Sequence, residues 1–181
     1  MKSGLVSVGV VALLALAWAV VAQDGTGIPA TAPEHELLKS FAGEWAVAGK
    51  YRVAPDQPWQ EMKIAAKNEL VLGGRFVQIR YVGDAVMGLP GPFEGLGFLG
   101  FDVRKRKYVS AWMDNMETTI LTGEGPGDAA ARTITITIGP PNRMTNVYKI
   151  ESADKFVVTA YSPSADGKDV PMMEMVHTRK K

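Results

Sequence analysis

Several polar side chains alternate with aromatic ones along predicted strands, and these are the residues best suited to chemistry. Ionisable groups among large apolar side chains cost on the order of several kcal/mol unless they are paired or used. They are therefore candidates for the wall of a ligand-binding site, with Trp112 and Asp114 as the favoured pair. The alternatives are an internal network, in which Arg80 pairs with Glu94 or Asp114, and an orientation toward water. The candidates are Asn68, Arg80, Glu94, Trp112, Asp114, Tyr148, Tyr161 and His177.

Metal binding and nucleophilic catalysis have little support in the residue types present. The chain has two histidines, His35 and His177, and no cysteine, whereas a structural zinc site needs four nitrogen or sulfur ligands at recognisable spacing. It has no G-x-S-x-G motif, and no spacing brings Ser110, His177 and Asp114 together as a triad. We therefore expect no metal site.

The segment Gly95-Leu-Gly-Phe-Leu-Gly100 satisfies the dinucleotide-binding pattern G-x-G-x-x-G. That motif works where a helix follows it, because the helix N-terminus meets the pyrophosphate. Residues 101–108 instead combine a charged turn with the start of a new strand. We interpret these glycines as places where a strand coils or a side chain approaches closely.

Residues 1–22 have the pattern of a cleaved secretory signal peptide. Lys2 supplies the positive start, residues 5–21 form an almost unbroken apolar run, and Ala22 places a small residue before Gln23. The alternative is an uncleaved anchor, since residues 4–22 approach the roughly 20 residues that cross a bilayer. Cleavage is favoured, and it predicts a secreted or periplasmic protein with no membrane partner.

The chain after the signal is electrically balanced and long enough to form its own core. Lys2 is the only charged residue of the signal, so the 20 Lys and Arg fall by one to match the 19 Asp and Glu. A neutral protein is a poor partner for nucleic acid. No disulfide supports the fold, but a domain of this length buries roughly 68–70% of its unfolded surface.

The period of the apolar residues changes from helical to strand-like at Gly43. Residues 23–32 are rich in turn formers and predict a flexible leader, and Pro33 begins a short helix through Phe41. Beyond Gly43 the period is 2, with turn residues between the segments, so residues 33–181 form one predicted domain. The predicted strands are 43–52, 60–71, 75–82, 93–101, 107–114, 118–124, 132–138, 143–151, 155–162 and 171–179.

The two ends of this domain match the way in which lipocalin-like barrels begin and end. Gly43 and Trp45 open the first strand as Gly-x-Trp, and Arg179 closes the last. In such barrels the tryptophan plugs the narrow end, and the arginine lies over its ring in a cation–π contact. We predict an all-β fold, a closed antiparallel up-and-down β-barrel of about ten strands with a short N-terminal helix.

Two connections between strands have alternative interpretations. The connection at residues 83–92 carries apolar side chains at Val86, Met87 and Leu89. It is either a lid over a ligand mouth or an ordinary loop that packs against the barrel. The basic run at residues 104–107 is interpreted as a solvated turn, the alternative being a patch for phosphate or an acidic partner.

Nine short blocks, spread over almost the whole predicted domain, form a specific pattern. They are 34–38 (EHELL), 43–45 (GEW), 68–76 (NELVLGGRF), 93–97 (FEGLG), 100–102 (GFD), 107–109 (KYV), 112–114 (WMD), 173–175 (MEM) and 178–180 (TRK). On these blocks the chain resembles the bacterial domain-of-unknown-function family numbered 1579. The resemblance implies a calycin-type barrel, akin to lipocalins, fatty-acid-binding proteins and nitrobindins, and no established activity. In the family pattern a tyrosine usually occupies the position of His177.

The same resemblance raises the question of haem, because nitrobindin-like barrels bind it through one histidine in an apolar cavity. In the last predicted strand, His177 shares its face with Met173, Met175 and Arg179. No other feature of the sequence indicates haem binding. We interpret His177 as a barrel residue and expect no cofactor.

Three functions are compatible with these patterns, and neither the ligand nor the oligomeric state follows from the sequence. The leading hypothesis is a barrel that binds a small apolar or amphipathic ligand, because its 9 methionines and its aromatics suit an adaptable cavity. The second is an enzyme that uses Asp114 or Glu94 as a general base on a barrel-bound molecule. The third is a structural or interaction protein with a packed barrel.

The signal pattern predicts that the exported protein begins at Gln23, because Ala22 and Val20 supply the small residues that the cleaving peptidase reads. The intact mass of the exported protein measures this directly. A mass that retains residues 1–22 would show an anchor instead.

Overall fold

The computed structural model describes residues 29–86, 88–139 and 143–181. The predicted signal, residues 23–28 of the leader and Met87 lie outside the described residues. In the part of the chain that the structure describes, no helix has the length and apolar character needed to cross a membrane.

One short helix precedes a long series of strands that are joined by tight turns. The helix α1 spans His35–Lys39, and turns flank it, so the helical part of the predicted segment 33–41 is shorter than expected. The strands are β1 (Gly43–Tyr51), β2 (Gln60–Val71), β3 (Phe76–Gly83), β4 (Phe93–Asp102), β5 (Lys107–Asp114), β6 (Leu121–Gly125), β7 (Gly127–Asp128), β8 (Thr133–Ile138), β9 (Met144–Ser152), β10 (Lys155–Pro163) and β11 (Asp169–Arg179).

The strands form one closed antiparallel barrel, as the period-2 pattern predicted. Neighbours in sequence pair from β1 to β6 and from β8 to β11, and β1 pairs with β11. The short β7 follows β6 after Pro126, and both pair with β8, so they act as one interrupted strand. The prediction of about ten strands in a closed up-and-down barrel is confirmed.

Alternation along each strand divides the residues between the interior and the outer surface. On β2 the inward residues are Met62, Ile64, Ala66 and Asn68, all buried, and the residues between them are exposed. Because successive side chains of a strand point to opposite faces, closing the sheet brings one set from every strand into a common core.

The end of the barrel next to α1 is sealed by Trp45, which is fully buried. Its indole Nε1 donates to the Phe41 carbonyl at 3.0 Å, and Arg179 lies over the ring with its guanidinium carbon 4.1 Å from the centroid. Arg179 also donates to the carbonyls of Ala42 and Ala153. Gly43 has a φ of +128°, and a Cβ there would collide with the Arg179 guanidinium. The predicted roles of Gly43, Trp45 and Arg179 in closure agree with this geometry.

A buried polar pair lies inward of this seal. The His177 ring stacks on Phe156 with centroids 3.9 Å apart, and Phe156 in turn meets the Trp45 ring edge-on. His177 Nε2 and the Tyr81 hydroxyl lie 2.7 Å apart and share a hydrogen bond. Burial lowers the pKa of His177 to about 3, so the imidazole is neutral at physiological pH.

Replacing the buried indole should destabilise the barrel strongly. We expect Trp45→Ala to lower the free energy of unfolding by about 3–5 kcal/mol, because a large aromatic group leaves a cavity in a packed core. Trp59, which is 38% exposed, provides the matched control, and Trp59→Ala should cost less than about 1 kcal/mol. Urea titrations of both variants give the values, and equal losses would place Trp45 outside the core.

The neutral state of His177 should make stability depend on pH below about 6.5. The unfolded chain takes up a proton near the ordinary histidine pKa of 6.5, whereas the folded chain does so only near 3, so acid favours unfolding. The contribution of the neutral imidazole to the free energy of unfolding is complete above pH 6.5 and is lost progressively as the pH falls toward 3. At pH 5 the loss should be about 2 kcal/mol.

The measurement compares unfolding free energies at pH 7.5 and pH 5 for the wild type and His177→Gln. The variant should lose about 2 kcal/mol less than the wild type on acidification. The other histidine supplies the control, because His35→Gln leaves the Tyr81–His177 pair intact. Identical pH dependence in all three proteins would contradict the buried neutral imidazole.

Candidate ligand-binding cavity

A cavity of about 350 Å³ occupies the half of the barrel away from α1. Its lining comes from the ends of β1, β3, β5, β8 and β10 and from the starts of β2, β4, β6, β9 and β11. In an antiparallel barrel these ends meet at one rim, opposite the end that Trp45 seals. Most of the lining is apolar and rich in methionine, including Met62, Met144, Met172, Met173 and Met175.

Trp112 forms one wall of the cavity, flat against the neighbouring strand. A Cβ at Gly95 or at Gly97 would collide with its indole, so these two glycines provide the space in which the ring lies. The indole Nε1 donates to Asp114 Oδ2 at 2.8 Å, and Asp114 Oδ1 accepts from the Met116 backbone N–H at 2.9 Å. Two of the three glycines of the apparent dinucleotide motif therefore make room for an indole. The segment that they belong to is a strand with no helix after it.

Charged groups gather at the mouth of the cavity. Arg52 lines it and donates to the carbonyls of Pro55 and Pro171, while its guanidinium stacks on Trp59 at 4.7 Å from the ring centroid. Asp114 and Glu117 also line the cavity. The charges therefore sit at the rim, and the depth of the cavity is neutral.

Tyr81 belongs to the floor, where it links the cavity to the sealed end. Its ring meets Trp112 edge-on at 5.4 Å between centroids, and its hydroxyl binds His177. Burial raises the pKa of the Tyr81 hydroxyl far above its ordinary value, with a smaller contribution from Tyr148. The group is therefore a neutral hydrogen-bonding partner and carries no charge.

Strand β9 contributes two polar side chains to the cavity, Asn146 and Tyr148. Their neighbours across the sheet are apolar: Ile136 and Ala160 flank Asn146, and Ile134 and Val158 flank Tyr148. Burial raises the pKa of Tyr148 to about 12, so its hydroxyl stays protonated. Two neutral hydrogen-bonding groups thus lie on an otherwise apolar wall.

The connection at residues 83–92 packs against the barrel rather than standing free of it. Val86 is 5% exposed and lines the cavity, and Leu89 packs against the core. A turn is closed by the Leu89 N–H, which donates to the Val86 carbonyl at 2.9 Å. The loop therefore forms part of the cavity wall, a position compatible with both interpretations of its sequence.

The basic run at 104–107 lies in the turn between β4 and β5. Lys105 and Lys107 both pair with Glu124, at 2.8 and 2.6 Å, and Arg106 pairs with Glu34. The two lysines lower the pKa of the Glu124 carboxyl to about 2. These exposed pairs fit the solvated turn that the sequence favours.

Three of the candidate site residues come together at the cavity. Trp112, Asp114 and Tyr148 all line it, and Trp112 and Asp114 are hydrogen-bonded to each other. Their role in binding remains a prediction.

Two of the candidates, Arg80 and Glu94, point away from the barrel interior, so the expectation that they face inward is wrong. Arg80 and Glu94 are exposed on the outer face of the barrel. Arg80 alternates with the buried Ile79 and Tyr81, and Glu94 with the buried Phe93 and Gly95. A charged side chain at either position gains full hydration by pointing outward.

Three further candidates are partly or wholly buried but do not line the cavity. Asn68 lies at the sealed end, where its amide donates to the Phe41 carbonyl at 3.0 Å. Tyr161 follows the bulge after Ala160 and pairs with Thr145, outside the cavity lining. His177 lies beneath the floor, against Tyr81 and Phe156. None of these three side chains lines the cavity, and Asn68 and His177 pack in the sealed half.

Haem does not fit the geometry around His177. The ring is fully buried, stacks on Phe156 and shares Nε2 with the Tyr81 hydroxyl, and it does not line the cavity. Over the described ranges, no group of three His, Cys, Asp or Glu side chains is arranged to hold a metal ion.

Several cavity residues were not among the sequence candidates, notably Tyr51, Tyr81 and Asn146. Each lies in phase with other inward residues: Tyr51 with Trp45 and Val47, and Tyr81 with Val77 and Ile79. Asn146 shares its parity with Tyr148, which is a sequence candidate. The period-2 pattern therefore contained a signal for all three.

The solved structures that match this chain are distant from it in sequence. The crystal structure of Rv2717c from M. tuberculosis superposes with a TM-score of 0.62 at 14% identity, over 84% of this chain and 100% of that one. A de novo designed fluorescence-activating β-barrel gives a TM-score of 0.45 at 15% identity, over 79% and 96% of the two chains. The likeness to Rv2717c concerns the fold alone. No curated protein matches the sequence significantly.

A family model covers nearly the whole barrel. It matches residues 30–179 and carries the description "protein of unknown function". The match includes every strand of the barrel and the helix that seals it, and it confirms the resemblance seen in the sequence blocks. The chain therefore belongs to the DUF1579 family.

Proposed function

We propose that this protein binds a small apolar or amphipathic ligand inside its barrel. The observation that carries the proposal is the cavity of about 350 Å³ between Trp112, Tyr148 and the methionines of β11. Ligand sites are typically concave, mostly apolar and about 300–1,000 Å³ in volume, with a few placed polar groups. This cavity lies at the small end of that range.

The flexibility of its lining suits a ligand that is not rigidly matched to the protein. Methionine is unbranched and polarisable, so it adapts to apolar shapes and makes favourable contacts with aromatic rings. Met62 of β2 and Met175 of β11 lie on either side of Gly49, where a Cβ would meet both side chains, and Met173 also lines the cavity. The opposite wall is the fixed indole of Trp112. A cavity with one adaptable wall and one rigid wall favours flat or flexible apolar ligands.

The enzymatic alternative has weaker support. Glu94 lies on the outer surface, and both oxygens of Asp114 already accept hydrogen bonds, from Trp112 and from the Met116 backbone. That arrangement suits a carboxylate that positions an indole. The packed-barrel alternative requires an interior filled with side chains, which is at odds with the cavity.

We further propose that binding takes place outside the cytoplasm, after removal of residues 1–22. The support is the signal pattern, which precedes the barrel and lies outside the described residues. A carrier in that compartment would protect apolar molecules from water, which fits a cavity with a charged rim and a neutral interior.

The test is a thermal-shift screen of purified residues 23–181 against fatty acids, long-chain alcohols, quinones, retinoids and hemin. A ligand present at 100 times its Kd should stabilise the fold by about 2.7 kcal/mol. A substitution that fills the cavity should abolish this ligand-induced stabilisation. Ala160→Phe is suitable, because Ala160 is 1% exposed and lines the cavity.

The matched control is Ala48→Phe, which adds the same ring to an exposed position on β1. It should leave the ligand-induced shift unchanged, whereas Ala160→Phe should remove it at a stability cost of about 1–3 kcal/mol. If Ala160→Phe responded to ligands like the wild type, the binding site would lie elsewhere.

A further inference from the structure

The hydrogen-bonding state of the cavity tyrosines differs from one to the next. The Tyr51 hydroxyl donates to Gln60 Oε1 at 2.9 Å, and the Tyr81 hydroxyl shares a hydrogen bond with His177. The Tyr148 hydroxyl, by contrast, has no hydrogen-bond partner within the described ranges, although burial holds it in the protonated form. It is the cavity tyrosine left with an unused hydrogen bond.

Asn146 lies two residues before Tyr148, on the same inward face of β9. Its Oδ1 is buried and finds no hydrogen-bond partner in the described parts of the chain. The strands on both sides present only aliphatic side chains at its level, Ile136 and Ala160. A buried amide without a partner costs free energy, and such groups in folded proteins usually mark a site that something else satisfies.

Asn146 and Tyr148 therefore project from the same face of β9, with their Cα atoms about 7 Å apart, and both side chains line the cavity. The amide of Asn146 offers a donor at one end and an acceptor at the other, and a half-turn of the side chain exchanges them. The Tyr148 hydroxyl both donates and accepts. A ligand group that donates and accepts matches this pair in either orientation of the amide, and the simplest such group is a hydroxyl.

The charged residues of the lining disfavour an anionic ligand. Arg52 is the only cation among the described residues of the lining, it lies at the rim, and its guanidinium binds the carbonyls of Pro55 and Pro171. A carboxylate near Asn146 would therefore have no opposite charge and could only accept hydrogen bonds. Asp114 and Glu117 at the mouth further disfavour an anion.

We propose, resting on the binding function above, that the ligand is a neutral apolar molecule with a hydroxyl group, which Asn146 and Tyr148 bind inside the barrel. The apolar body lies along Trp112 and the methionines, and the hydroxyl forms hydrogen bonds with the Asn146 amide and the Tyr148 hydroxyl. Alcohols, hydroxylated isoprenoids and monoacylglycerols have this chemistry.

Calorimetric titration with matched small molecules tests the proposal. Octan-1-ol and its isomer 1-methoxyheptane have the same atoms, but the ether can only accept hydrogen bonds. The wild type should bind the alcohol about five- to tenfold more tightly than the ether, since one net hydrogen bond is at stake. Octanoate, which carries a charge in place of the hydroxyl, should bind more weakly than the alcohol.

Two substitutions test whether Asn146 and Tyr148 cause the preference for the alcohol over the ether. Asn146→Leu should bring the affinities for alcohol and ether within about twofold of each other, and Tyr148→Phe should weaken the alcohol by about fivefold. The matched control is Tyr161→Phe, which removes the same hydroxyl from a tyrosine outside the cavity and should change neither affinity. A loss of preference in either cavity variant supports the proposal.

Equal binding of octan-1-ol and 1-methoxyheptane by the wild type would overturn the hydroxyl inference and leave the binding function standing. A preference that persisted in both cavity variants, or tighter binding of octanoate, would overturn it as well. If none of the three compounds bound and the thermal-shift screen were also silent, the proposed function itself would fail.

Discussion

The contact between Arg179 and Trp45 joins the last strand to the first, and the rest of the barrel depends on it. The two residues are direct partners across the β1–β11 pairing, with the guanidinium over the indole. The guanidinium also ties down the carbonyls of Ala42 and Ala153. Closure removes the exposed edges that an open sheet would carry. It also places the inward side chains of β1 and β11 beside each other, from the sealed end to the methionines at the cavity.

The interior above this seal is divided into two halves with different chemistry. In the sealed half, aromatic rings follow one another from Trp45 through Phe156 and His177 to Tyr81. Asn68 Nδ2 donates to a backbone carbonyl there, while Asn68 Oδ1 and His177 Nδ1 are enclosed without a hydrogen-bond partner among the described residues. In the open half, Asn146 and Tyr148 lie on an apolar wall without such partners. Tyr81 belongs to both halves, because its hydroxyl faces His177 and its ring faces Trp112.

The fold could be predicted largely from alternation. In a run such as residues 133–138, every second side chain must face the interior and the others must face outward. The site could be predicted only in part. On β4 the inward positions 95 and 97 are glycines, so only Phe93, Leu99 and Phe101 marked the inward parity, and Glu94 was wrongly taken to face the interior. Asn68 had the correct parity, but its distance from the cavity depends on how far along the barrel it lies. Tyr161 differs in parity from the buried Phe156, Val158 and Ala160, so alternation along β10 places it outside the inward set.

The placement of Trp112 against Gly95 and Gly97 gives the protein an optical property. Of the 4 tryptophans, Trp18 lies in the predicted signal. The other three have different surroundings: Trp45 is fully buried, Trp59 is at the surface, and Trp112 borders the cavity. Indole emission depends on local polarity, so each of these residues reports on a different event. Trp45 is placed to report folding and Trp112 to report the proposed filling of the cavity, so the fluorescence of the unlabelled protein would distinguish the two events.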